Sequence, residues 1–178
     1  MILMIAISAG ALAAAKPAEA RGPADRSTPE AASASFYGAY LETTPGAFPG
    51  PVARMRLRRL LSPRLNGLLG QADHAEAVHA WRTGGREPPL IAGDVFTSLF
   101  EGAGRFQVQG CRSDGQQAVC QVALGNDRMQ RPSRWRDRLV LMRAPSGWVV
   151  DDVIYGGSRG SGAAARLSQT LRTAIGGG

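Results

Sequence analysis

Apolar side chains change their spacing once along this chain, and that change sets the class of fold. As far as about residue 81 they recur every three to four positions, the period of one helix face; beyond residue 90 they recur at alternate positions, the period of a strand. Thr28-Pro29-Glu30 supplies a hydroxyl cap, a proline at the first helical position and an acid near the positive end of the helix dipole. Phe36, Tyr37, Tyr40 and Leu41 follow as an aromatic stripe, and Thr43-Thr44-Pro45-Gly46 ends the helix, because the residue before proline is pushed out of the α region. Gly50-Pro51 opens a second helix with Ala53, Leu57, Leu60 and Leu61 on one face. Ser62-Pro63 interrupts it and starts a third, carried by Leu65, Leu68, Leu69 and Ala72. A further helical stretch is expected over 73–81, closed by Thr83-Gly84-Gly85.

Ala92-Gly93-Asp94 then turns the chain into Val95-Phe96 and Leu99-Phe100. Phe106 and Val108 alternate with Arg105, Gln107 and Gln109, and Val122 and Leu124 alternate with Gln121, with the turn signal Ser113-Asp114-Gly115-Gln116 between them. Residues 105–124 therefore predict a β-hairpin. A basic loop over 128–136 leads into Leu139-Val140-Leu141-Met142, Ala144-Pro145-Ser146-Gly147 turns the chain, and 148–155 returns as the partner strand. A Gly/Ser/Ala-rich connection over 156–165 precedes a short amphipathic helix built on Leu167, Leu171 and Ile175. Helices first and a strand meander afterwards predict an α+β domain, its N-terminal helices packed on one face of an antiparallel sheet and a short helix closing the chain.

The 178 residues suffice for one core. Met1 to Ala15 carries no charge and is almost wholly apolar, too short to span a bilayer but matching the core of a secretory leader. Ala18-Glu19-Ala20 is the favoured cleavage site, giving a signal peptide at 1–20, a polar linker at 21–28 and a single domain at 29–178. No transmembrane segment is expected once the leader is removed, and the protein is expected to be exported, periplasmic or secreted.

The formal net charge is +7, and all but one of the 21 basic residues are arginine. Arg54, Arg56, Arg58, Arg59 and Arg64 crowd one segment, and Arg128, Arg131, Arg134, Arg136 and Arg138 another. No base-stacking aromatic motif accompanies them, so nucleic acid is not expected as a partner. An acidic envelope partner fits better, and plain solvated faces fit best.

Cys111 and Cys120 flank the hairpin turn in a chain placed in an oxidising compartment, so a disulfide is expected. Pairing Phe106 with Leu124 and Val108 with Val122 sets Gly110 opposite Cys120, so a one-residue bulge is needed to bring the two sulfurs together. Asp151-Asp152 interrupts the apolar run 148–155, and one of the two must share a face with apolar neighbours. Either a pocket acid or a structural anchor to arginine or backbone N–H groups would account for it, the anchor being favoured; Asp94 admits the same two readings. His74 and His79 lie on different helix faces and give no metal site. No nucleophile elbow, phosphate loop or Cys-His pair is present, and neither catalytic residues nor a cofactor are expected.

Phe36-Tyr37 with Tyr40-Leu41, Leu61-Ser62-Pro63 with Leu65, Leu68 and Leu69, Gly93-Asp94 with Phe96-Thr97, and Trp135, Asp137, Leu139-Val140, Gly147-Trp148 and Val150-Asp151-Asp152 occur in an order that resembles a bacterial domain-of-unknown-function family, family 3828, of the nuclear transport factor 2-like fold. The resemblance covers residues 34–172. It implies a curved sheet wrapped around helices as a cone with a pocket, and an exported protein, but no reaction. The chain departs from the pattern at Gln130-Arg131-Pro132-Ser133 and in its Gly-rich segment.

Tyr37, Tyr40, Asp94, Phe96, Trp148 and Asp152 are the candidate ligand-binding residues of such a pocket. The leading expectation is a non-catalytic exported module that binds a small ligand or an envelope protein. The alternatives are a pocket enzyme acting on a small hydrophobic molecule, with Asp94 or Asp152 as acid or base beside a tyrosine, and an envelope immunity or inhibitor protein. The leader makes a direct prediction: amino-terminal sequencing of protein recovered from the cell envelope gives Arg21 as the first residue, and an intact Met1 would refute export through this segment.

Overall fold

The computed structural model describes residues 24–156 and 165–177. The leader expected at 1–20 and nearly all of the Gly-rich connection lie outside them. Within the described residues the order is α1 (Pro29–Leu41), α2 (Pro51–Leu57), α3 (Pro63–Thr83), β1 (Arg105–Ser113), β2 (Gln117–Asn126), β3 (Ser133–Ala144), β4 (Gly147–Ile154) and α4 (Leu167–Gly177). The strands form one antiparallel meander, β1-β2-β3-β4, so the domain is α+β as expected.

The helix starts follow their caps. Thr28 Oγ1 accepts the Ala31 N–H at 3.1 Å, and Ser62 Oγ accepts the Leu65 N–H at 3.0 Å, each one position before a proline. One expectation is corrected here. The two stretches predicted at 65–72 and 73–81 are one helix, α3. Asp73 does not cap a new helix; its carboxylate is held by Arg54 Nη2 at 2.8 Å, and α3 runs unbroken to Gly84, which caps it in the left-handed region.

One face of the sheet carries the apolar set, with Phe106 beside Leu124, Val108 beside Val122, and Cys120, Leu139 and Val153 in one row. Phe36, Tyr37 and Tyr40 of α1, Leu65 and Leu69 of α3, and Leu171 of α4 bury this face. Each such side chain contributes about 1.5–3 kcal/mol by leaving water.

The hairpin register is the one expected from its apolar faces, and its bulge lies at Gln109. Pairing shifts between Val108 and Gly110, so that Cys111 faces Cys120 with their Cα atoms 4.0 Å apart and the disulfide closed. Gly110 makes the shift possible, because its φ of +144° is a conformation that side chains with a Cβ rarely adopt.

The last strand does not end in an open edge. Val150 donates to the Leu60 carbonyl and accepts from the Ser62 N–H, both at 2.8 Å, and Leu61 forms a parallel bridge with it. Farther along, Ile154 bridges Arg166 just before α4. At the start of β4, Trp148 donates to the Arg26 carbonyl at 2.9 Å, and the Arg26 guanidinium donates to the Arg59 carbonyl at 2.6 Å. Residues 24–28, expected within a linker, are therefore docked on the sheet. The close approach of the Arg26 backbone to Gly147, where a Cβ would lie 2.5 Å from its carbonyl oxygen, explains the glycine at that turn. The basic segment 128–136 also divides differently from expectation: β3 begins at Ser133, so Arg134, Arg136 and Arg138 alternate along a strand rather than fill a loop. No helix among the described residues is long and apolar enough to cross a membrane.

The disulfide closes a short loop, so a Cys111→Ala/Cys120→Ala double variant should unfold with about 2–3 kcal/mol less stability in urea titrations under non-reducing conditions. Wild-type stability that reductant leaves unchanged would refute a stabilising bond.

Candidate functional site: buried carboxylates and an aromatic interior

Four of the six predicted pocket residues, Tyr37, Tyr40, Asp94 and Phe96, meet in the interior. Phe36, Tyr37, Tyr40 and Phe96 pack edge to face, with ring centroids 5.1–6.1 Å apart, and are 0–2% exposed. Tyr37 donates to the Phe96 carbonyl at 3.2 Å, and Tyr40 donates to Asp94 Oδ2 at 2.8 Å while accepting the Ala103 N–H at 3.0 Å. Burial pushes both phenols well above the ordinary tyrosine range, and the Asp94 carboxylate raises Tyr40 further, so both stay protonated.

Asp94 is 1% exposed, and among the described residues no cation pairs with it. Its Oδ1 accepts the Phe96 and Thr97 N–H groups at 2.8 Å each, and its Oδ2 accepts from Tyr40 and from the Gly46 N–H at 3.1 Å. Burial pushes the Asp94 carboxyl up against the lowering pull of these donors. The carboxylate thus ties α1, the 45–46 turn and the 94–97 loop together as a structural anchor to backbone N–H groups.

Asp152 and Trp148 do not join this group. The register places Trp148 on the face of Val150 and Leu141, and Asp152 on the opposite face beside Val140, since Asp151 is a bulged residue between them. Asp152 accepts the Ser168 N–H at 3.0 Å and the Ser168 hydroxyl at 2.7 Å, together with its neighbour Val153 N–H, and Arg166 lies 3.6 Å away. It therefore anchors the first turn of α4, where a negative charge is favoured by the helix dipole. Trp148 is buried under the Arg143 guanidinium, which lies 5.4 Å from its ring centroid. Asp151 accepts from Ser62 Oγ at 2.5 Å and pairs with Arg64 at 2.6 Å, binding the start of α3 to β4.

A third buried carboxylate, Asp137, was not singled out as a site residue. It accepts Ser98 N–H and Oγ, Trp135 Nε1 and the Gly156 N–H, all within 2.7–3.0 Å. The signal was available: alternation along β3 sets Asp137 on the face of Leu139 and Leu141.

Open grooves among the described residues lie elsewhere on the surface. One of about 800 Å³ is bounded by Pro45, Glu101, Asn126, Arg128 and Arg131, and one of about 700 Å³ by Asp25, Ser35, Gly38, Arg56 and Phe106. None of the six candidate residues lines either. His74 is exposed, His79 contacts the Pro88 carbonyl at 2.9 Å, and no cluster able to hold a metal occurs among the described residues.

No family model matches the chain. No curated protein matches it either. Among solved structures, a SEC-C motif-containing protein from Rhodopseudomonas palustris aligns at 14% identity and a TM-score of 0.41, over 72% of this chain and 79% of that one. Likeness at that level establishes neither a common fold nor a common role.

Asp94 gives a pH-dependent test. A carboxyl whose pKa is raised on folding adds most stability below its unfolded pKa, and that contribution is lost as pH rises through the folded value. Asparagine does not titrate and leaves one donor facing another, so Asp94→Asn should cost about 1–3 kcal/mol. By urea unfolding, the gap from wild type should be wider at about pH 4 than at about pH 7. A gap that widens toward neutral pH would show that the donors outweigh burial.

Proposed function

We propose that the chain is an exported, non-catalytic binding module that engages an envelope protein through its surface. The observation that carries this reading is the state of its interior. The side chains that would line a pocket are close-packed, and the carboxyls that would serve as acid or base are committed to donors of the fold itself. Catalysis by Asp94 or Asp152 needs a free oxygen facing space where a substrate atom can sit. Asp94 spends both oxygens on α1, a turn and its own loop, and Asp152 spends its own on α4. Filled space also weakens the case for a small ligand inside the cone and favours a protein partner outside it.

Export is supported by the apolar leader and by the disulfide, a bond that persists in oxidising compartments. The finer architectural reading is a member of family 3828 with a nuclear transport factor 2-like cone. Helices covering one face of an antiparallel sheet, and strand bulges at Gln109 and Asp151 of the kind that bend strands, support it.

Native mass spectrometry of the protein recovered from its own cell envelope tests the function. The expected species is the chain with its disulfide intact, alone or bound to protein, and without a stoichiometric small molecule. A retained small molecule, together with turnover that a folded Asp152→Asn variant abolishes, would replace the module by an enzyme.

A further inference from the structure

Along β1 to β3, the side of the sheet turned away from α1 and α3 carries a cluster of arginines. Strand alternation directs Arg105 and Arg112 of β1 and Arg134, Arg136 and Arg138 of β3 to this side, and all five are exposed. The registers set them in rows: Arg105, Gly125 and Arg134 in one, Gln107, Ala123 and Arg136 in the next, then Gly110, Gln121 and Arg138, and finally Arg112, Val119 and Val140. Rows along a strand repeat at about 6.7 Å, and neighbouring strands lie about 4.8 Å apart.

The first row shows what this surface accepts. Arg105 and Arg134 lean over Gly125, where a Cβ would lie 2.7 Å from Arg105 Nε and 3.2 Å from Arg134 Cδ. A single carboxylate, that of Asp127, bridges them at 3.3 Å and 2.5 Å. In the following rows no such carboxylate is supplied. Among the described residues, Arg136 has only the neutral Gln109 amide oxygen at 3.0 Å, and Arg112 and Arg138 have no hydrogen-bonding or ion-pair partner. The Asp152 carboxylate on β4 is already locked to α4.

Charge on an edge strand can serve only to block aggregation, which would account for Arg105 and Arg112. It does not account for Arg136 and Arg138, which stand on an interior strand. Of the five guanidiniums, those beyond the Asp127 row lack a carboxylate.

We infer that this outer sheet face binds an acidic polypeptide, whose carboxylates seat between the guanidiniums of β1 and β3 as Asp127 does in the first row. This rests on the binding-module reading and names the chemistry of the partner. Polypeptide is favoured over other polyanions by what the face lacks. No aromatic side chain stands among the arginines to stack on bases, and Val119 is the one exposed large apolar group among them, too little to enter a bilayer. The interleaved glutamines Gln107, Gln109 and Gln121 offer amides that both donate and accept, which suits a peptide backbone between its acidic side chains. Guanidinium forks match carboxylates bidentately, and rim charges of this kind set specificity and association rate more than raw affinity.

The test compares two triple variants that remove equal charge, Arg112→Gln/Arg136→Gln/Arg138→Gln on this face and Arg58→Gln/Arg82→Gln/Arg86→Gln at and just beyond the C-terminal ends of α2 and α3. Binding is read by anisotropy of a fluorescein-labelled peptide of repeated Glu-Thr, with thermal melts confirming that both variants are folded as in wild type. The sheet-face variant should weaken binding about tenfold or more and the helix variant by no more than about twofold, with wild-type affinity falling as salt rises. Equal weakening in both variants would reduce the effect to net charge and overturn the proposal. So would tighter binding, at equal anionic charge, to phosphatidylglycerol vesicles or duplex DNA, and so would absence of any binding to the peptide. None of these results touches the binding-module reading, which fails only if the native protein retains and turns over a small molecule.

Discussion

Three carboxylates buried without an equally buried cation hold this domain together. Asp94, Asp137 and Asp152 are each at most 4% exposed, and each takes its hydrogen bonds from backbone N–H groups and from hydroxyl or indole donors. An ionised carboxylate in such a place is tolerable only when its lone pairs are filled, and here most of the donors come from segments outside the sheet, the exceptions being Trp135 Nε1 and the Val153 N–H. Asp94 gathers α1, a turn and the loop that follows it. Asp137 fixes the end of that loop and the chain just after β4. Asp152 fixes the start of α4. The irregular segment 94–104 lacks a ladder of its own, and Asp94 and Asp137 stand in for one. Losing any one of them would strand several buried donors at once, a larger penalty than the loss of a single neutral hydrogen bond.

That arrangement explains what the sequence could and could not disclose. The meander was legible because alternation over 106–108 and 121–124 permits only one apolar face, where a slip of one residue would expose it, and because the apolar runs 139–142 and 148–150 flank a turn. The bulge was legible for the same reason: two cysteines across a hairpin whose other pairs are fixed demand an extra residue, and Gly110 supplies the conformation. The continuity of α3 was not, because the apolar stripe of Leu65, Leu68, Leu69 and Ala72 lapses at Asp73, whose carboxylate Arg54 holds from another helix. Nor was the docking of residues 24–28, which bury little side chain and are held through the Arg26 carbonyl and guanidinium.

The candidate site divides along the same line. That Asp151 and Asp152 face opposite ways, and that one of them anchors backbone or arginine, follows from strand geometry alone. Which segment each anchors depends on α3 and α4 arriving from 89 and 16 residues away, which no local pattern encodes. Asp137 was hidden by its neighbours: flanked by Arg136 and Arg138, it looks solvated until β3 is known to start at Ser133. The same misplacement concealed the arginine row, since charges that are interchangeable in a loop become a directed face once they alternate on a strand.

Interior and outer face therefore obey opposite rules. Inside, every charge is neutralised by dipoles aimed at it, and rigidity follows, because a carboxylate with four donors has no alternative arrangement of similar energy. Outside, beyond the Asp127 bridge, the guanidiniums are left without carboxylates, and the strand spacing rather than side-chain contact sets their separation. A partner that met the interior would have to break a satisfied network; a partner that met the sheet face would complete an unsatisfied one. Because the disulfide, Asp94 and Asp137 secure the domain from the helix-covered side of the sheet, the arginines on the other side are free to be chosen for what they bind. Their number and order can therefore diverge between proteins of the same fold without cost to folding, which is where specificity for one acidic partner over another would be written.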